Sequence, residues 1–125
     1  MNKDLSPRNS EHQPHGIWEQ YHDNGQLKAK MNYLNGNRHG LGESYYDNGQ
    51  PWLKCSYING ERDGLYECYF DNGQLDNKCN YLNGEVHGLD EFYNEDGKLL
   101  NKSNYIHGVQ HEYIEKINSD LFPIY

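Results

Sequence analysis

The sequence predicts an all-β protein: tandem 24-residue β-hairpin repeats in one elongated, twisted antiparallel meander sheet, solenoid-like because each unit touches mainly its neighbours. Three observations predict it. His15-Gly16, His39-Gly40, Asp63-Gly64 and His87-Gly88 open four units, 15–38, 39–62, 63–86 and 87–110, which align without a gap. Asn-Gly turn signals recur at two fixed places in every unit. The segments between them are six to eight residues long, the length of a strand, and carry no helical period.

Residues 1–14 read as a polar, mobile leader. Each unit then carries Gly at its second position, Glu at its fifth and Tyr at its seventh, the last being Tyr21, Tyr45, Tyr69 and Tyr93. Asp23-Asn24-Gly25 and its copies form the hairpin tip, because Asn and Gly tolerate positive φ. A return strand follows, with Lys at position sixteen and Tyr at nineteen. Leu34-Asn35-Gly36 and its copies turn the chain into the next unit. Residues 111–125 hold a partial fifth repeat and an apolar stretch, Leu121 to Tyr125, expected to cap the last hairpin.

Hydrophobic pattern selects between two tip registers. A two-residue loop pairs position five with sixteen, Glu with Lys, but scatters the apolar residues over both faces. A three-residue loop with a Gly bulge pairs seven with thirteen and three with seventeen. It gathers Ile17, Tyr21, Leu27, Met31 and Tyr33 on one face, and is preferred. In that register the position-five Glu lies among Tyr hydroxyls, from which it can accept hydrogen bonds. Cys68, at position six, falls on the face opposite Cys55 and Cys79 at position seventeen.

The chain has 125 residues and a net charge of −8. Its acidity argues against direct nucleic-acid binding and against docking on anionic membranes. No apolar run is long enough to span a bilayer. The start leads into Pro7-Arg8-Asn9-Ser10 and not into an apolar signal core, so a cytoplasmic location is expected. Twelve Tyr and 2 Trp argue against disorder despite few aliphatic residues.

No arrangement for catalysis emerges. Equivalent His residues in adjacent units lie two strands apart, about 9–10 Å, too far to share a metal. The same spacing separates Cys55 from Cys79 beyond disulfide reach. Four equivalent Glu residues offer no acid–base asymmetry. We therefore expect no enzyme, no cofactor and no metal site.

Surface recognition remains. Positions four, six, eight and fourteen vary between units on the expected outer face. They hold Trp18, Tyr46, Trp52, Tyr66, Phe70 and Phe92, aromatic residues of the kind that anchor interfaces. Carboxylates rim them: Asp47 and Asp71 among those at the tips, Glu61 and Glu85 at the far turns. Such a patch suits a basic protein partner.

The pattern Gly-x-x-Glu-x-Tyr-x-x-Asn-Gly, then Tyr-x-Asn-Gly-x-x-His-Gly, resembles the bacterial variant of the MORN (membrane occupation and recognition nexus) repeat found in YwqK-type antitoxin proteins. The resemblance covers residues 15 to about 112. It implies an elongated sheet of hairpins and a role as antitoxin or immunity protein that occludes a cognate toxin, with a nuclease suiting the acidic surface. Where the better-known repeat has Gly at position four, only Gly42 matches; Trp18 and Tyr66 stand there in the first and third units. The alternative reading is a scaffold that pairs with a second copy through its edge strands.

Overall fold

The computed structural model describes residues 6–111. The expected C-terminal cap lies outside the described residues. Ten strands form a single antiparallel sheet: β1 (Gly16–Tyr21), β2 (Leu27–Leu34), β3 (Asn37–Tyr45), β4 (Pro51–Ile58), β5 (Glu61–Tyr69), β6 (Leu75–Leu82), β7 (Glu85–Val86), β8 (Gly88–Tyr93), β9 (Leu99–Ile106) and β10 (Val109–His111). They pair in chain order, and β7 and β8 lie one after the other along β6, interrupted at His87. There is no helix among the described residues.

The two turns of each unit differ in kind. At the tip only the Gly has positive φ, as in Gly25 at 86°. Gly25 N–H donates to His22 O, and His22 N–H to Gln26 O. This is a three-residue loop closed by a Gly in the left-handed region. At the far turn both central residues are left-handed, Asn35 at 47° and Gly36 at 91°. That is the two-residue type I′ hairpin turn, so the Asn-Gly signal of tight hairpins belongs between units.

The register combines both sequence expectations. Tyr21 pairs with Leu27, position seven with thirteen, as the bulged tip requires. A bulge then falls before Gln20 pairs with Ala29. Beyond it Glu19 pairs with Lys30 and Ile17 with Asn32. Position three therefore meets eighteen, not seventeen, and the pattern repeats in the later units. The extra residue sits within the strand pair, where hydrophobic pattern alone could not locate it.

This bulge corrects the expected faces. Trp18 pairs with Met31, Gly42 with Cys55, Tyr66 with Cys79 and Asp90 with Ser103, so positions four and seventeen share a face. Ile17 and Tyr21, expected on that apolar face, lie on the other one and are 51% and 58% exposed. Cys68 pairs with Leu53 and shares the face of Cys55 and Cys79 after all. The buried side chains among the described residues, Cys55, Tyr57, Cys79 and Ser103, form a line along this face. All three cysteines are free.

Backbone and side-chain ties stitch the units along both rims. At the tips Asn24 Nδ2 donates to Asp47 O, Asn48 to Asp71 O and Asn72 to Glu95 O, at 2.8–3.1 Å. At the far turns Gly60 N–H donates to Arg38 O, Gly84 to Arg62 O and Gly108 to Val86 O. His15 Nδ1, Asp63 Oδ2 and His87 Nδ1 accept the backbone N–H twenty residues on. That shared acceptor role explains why Asp63 can stand in a His column.

Residues 6–15, within and just after the leader, pack on the first unit. Arg8 bridges Pro14, Trp18 Nε1 donates to Pro7 O at 2.8 Å, and Gly36 N–H donates to Pro14 O.

Candidate functional site

The two faces of the sheet carry different chemistry. On one, Glu19, Lys30, Glu43, Lys54, Glu67, Lys78, Glu91 and Lys102 are paired strand by strand into a continuous row of alternating charge. Lys102 Nζ lies 3.8 Å from Glu91 Oε2. Opposite charges directly across a strand pair are favourable, so this ladder favours the observed register over one shifted by a residue. The position-seven tyrosines stand beside it. Tyr45 hydroxyl donates to Glu43 Oε2 at 2.7 Å and Tyr21 to Glu19 Oε1 at 3.2 Å, as expected from the sequence.

These contacts make a titration prediction. The hydrogen bond to Glu43, with burial and the nearby charge, pushes the Tyr45 hydroxyl up to about 12. An unfolded Tyr titrates near 10. The folded chain therefore keeps a proton that the unfolded chain loses between those values. The stabilisation is complete below pH ~10 and is lost as the pH rises towards 12. Glu43→Gln should bring one tyrosine's titration down towards 10, read by tyrosinate absorbance against a Tyr45→Phe control. Superimposable curves for Glu43→Gln and the parent would refute the coupling.

The other face carries aromatic rings and guanidinium groups. In the first unit Trp18 packs on Tyr33 with ring centroids 5.6 Å apart, and in the third Tyr66 packs on Tyr81 at 5.7 Å. In the second unit the corresponding position is Gly42, and Tyr57 has no such ring across from it. The gap opens a recess of about 320 Å³ bordered by Trp18, Tyr33, Arg38, Leu53, Tyr57 and Arg62. Gly42 keeps an ordinary strand conformation; what excludes a side chain there is space, since a Cβ would lie 2.6 Å from Met31 Sδ and 3.3 Å from Tyr57 Cε1.

All three arginines of the chain lie against rings of this face. Arg8 sits 4.8 Å from the Trp18 centroid, Arg38 5.5 Å from Tyr57, and Arg62 5.2 Å from Tyr66 and 5.3 Å from Tyr81. Arg62 also donates to the Tyr81 hydroxyl at 3.1 Å. These are cation–π geometries, which position a guanidinium without neutralising it.

Four tandem stretches, residues 14–35, 38–59, 62–83 and 86–107, match the family model of the MORN repeat variant. The chain belongs to the MORN repeat variant family. Repeats of this family are generally protein-interaction modules, and the family is a non-catalytic repeat module. A search of curated proteins found no match. No helix among the described residues is long and apolar enough to cross a membrane.

The residues picked from sequence do not gather in one patch. Trp18, Tyr66 and Phe92 stand on the recess face, each paired with a residue of that face. Tyr46 and Trp52 pack together near the tips, 6.1 Å between centroids, and the Tyr46 hydroxyl donates to Tyr69 O. Phe70 closes the third tip through its backbone N–H to Gln74 O. Asp47 and Asp71 are exposed on the tip rim, Glu61 and Glu85 on the opposite rim. Sequence reasoning missed Arg38 and Arg62. Their signal was Arg at position twenty-four in two successive units, beside the Gly42 departure.

Proposed function

We propose that this protein is an antitoxin or immunity protein that binds a basic toxin domain and occludes its active site without chemistry of its own. The observation that carries the reading is an acidic array of protein-interaction repeats with exposed aromatics near a carboxylate rim: Trp52 is 46% exposed beside Tyr46, with Asp47 and Asp71 at the tips. Aromatic anchors supply affinity, and the rim supplies long-range attraction to a basic partner. A bacterial, cytoplasmic setting accompanies this reading. A second reading is a scaffold that self-associates; β1 and β10, the edges of the described sheet, favour it.

Capture of tagged protein from its host at low salt, with mass spectrometry, tests the choice. A stoichiometric basic partner that arrests growth when expressed alone supports immunity. Recovery of self-copies only supports the scaffold. Replacing Trp52 and Phe70 together by Ala should weaken partner binding by about a hundredfold or more while the fold persists. Undiminished binding would remove these residues from the interface.

A further inference from the structure

We propose that the recess over Gly42 is a binding site for an acidic side chain, a Glu or Asp presented by an extended segment of a partner protein. The carboxylate would lie between Arg38 and Arg62, and its aliphatic stem against Trp18, Tyr33 and Tyr57. The inference concerns a different surface from the acidic tips and does not depend on the partner being a toxin.

Four observations carry it. First, no ion pair reaches Arg38 or Arg62 among the described residues. Their side-chain partners are neutral tyrosine hydroxyls, Tyr33 and Tyr57 for Arg38 and Tyr57 and Tyr81 for Arg62, and not carboxylates. In a chain of net charge −8, two neighbouring arginines without an acidic partner are conspicuous. Glu43, the next residue to Gly42, belongs to the ladder on the opposite face and holds its carboxylate on the Tyr45 hydroxyl. Second, each guanidinium has five N–H donors, and tyrosine hydroxyls engage two of them, Tyr33 and Tyr57 for Arg38 and Tyr57 and Tyr81 for Arg62. Donors remain for a planar, bidentate acceptor.

Third, the four position-sixteen Lys residues (Lys30, Lys54, Lys78 and Lys102) stand in the Glu–Lys ladder, while Arg38 and Arg62 lie on the recess face. Arg is the side chain that reads carboxylates with geometry as well as charge. Fourth, the recess of about 320 Å³ exists because unit two lacks the ring that units one and three carry. That volume is at the small end of ligand pockets, sized for a side chain and not a large cofactor. The overall negative charge repels polyanions such as nucleic acid or an anionic membrane. A single carboxylate on an otherwise neutral or basic segment escapes most of that repulsion.

The test is a nuclear magnetic resonance titration of the labelled full chain with the peptide acetyl-Val-Thr-Glu-Thr-Val-amide, which carries one carboxylate, and with its Gln counterpart. The Glu peptide is expected to shift the Trp18 indole and the Arg38 and Arg62 side-chain resonances, more weakly as salt rises; the Gln peptide is not. Arg38→Gln with Arg62→Gln should weaken the Glu peptide by about tenfold or more. Because losing both charges could unsettle the tyrosines, Arg38→Lys with Arg62→Lys provides a second arm. It keeps both charges and the aliphatic stems against the rings, removes the planar fork that reads a carboxylate with two bonds, and should weaken the Glu peptide several-fold. Equal shifts from both peptides, or undiminished binding by the double Lys variant, would overturn the proposal. Inorganic phosphate or anionic phospholipid vesicles occupying the same arginines more tightly than the peptide would overturn it in favour of a phosphate group.

Discussion

Replacing Tyr57 by Ala is expected to destabilise the protein by about 3–5 kcal/mol, close to the whole stability of a domain this size. Tyr57 is 8% exposed and is the largest of the buried side chains among the described residues; the others are two Cys and a Ser. It lies across the sheet from Gly40 and Arg62, its ring edge over Gly42, with Arg38 on its face. Arg62 then reaches the Tyr81 hydroxyl. Truncation would leave a cavity that no second layer of the described structure can fill, and would strip Arg38 of its ring. Tyr57→Phe keeps the ring and should cost about 1 kcal/mol, the value of a hydroxyl contact. Equilibrium urea unfolding of the two variants checks this. If Ala and Phe cost the same, the aromatic row is not what holds the central units together.

The reason so much rests on one ring also explains what was legible beforehand. The repeat, its 24-residue period and both turns could be read directly, because Gly and Asn mark positive φ wherever they are needed, at Gly25 as at Asn35 and Gly36. The Tyr–Glu contacts were legible for the same reason, being local along one strand. The faces were not. One residue bulged between position thirteen and position fifteen moves every later partner by one, and so exchanges the sides of Ile17 and Trp18. Alternation of apolar residues cannot reveal such a bulge when both faces carry rings. The recess was invisible for a related reason. Arg38 and Arg62 sit at the joint between units, where the sequence looks like a polar turn, and only pairing with Tyr33 and Tyr57 places them on the face of Gly42.

Excising residues 63–86, one whole unit, should leave a shorter protein that still folds, whereas excising residues 63–74 should abolish folding. The larger deletion preserves every relation between neighbours. Lys54, now opposite Glu67, would meet Glu91; Asn48, now bonded to Asp71 O, would find Glu95 O at the same place in the next tip. Arg62 would meet Tyr105 in the column of Tyr81. Three units remain, the least that a repeat array needs to bury its faces. The smaller deletion removes most of β5 with its tip, and β6 would follow the turn after β4 in place of β5, putting Cys79 where Glu67 stood opposite Lys54 and the charged Lys78 where Tyr66 stood on the aromatic face. Urea unfolding followed by circular dichroism separates the two. The one-unit deletion should keep a cooperative transition with an m-value lower by about a fifth, in proportion to the surface lost. The half-unit deletion should show no transition at all. Loss of cooperativity in both would mean that the units are not interchangeable, and that unit three supplies something its neighbours lack.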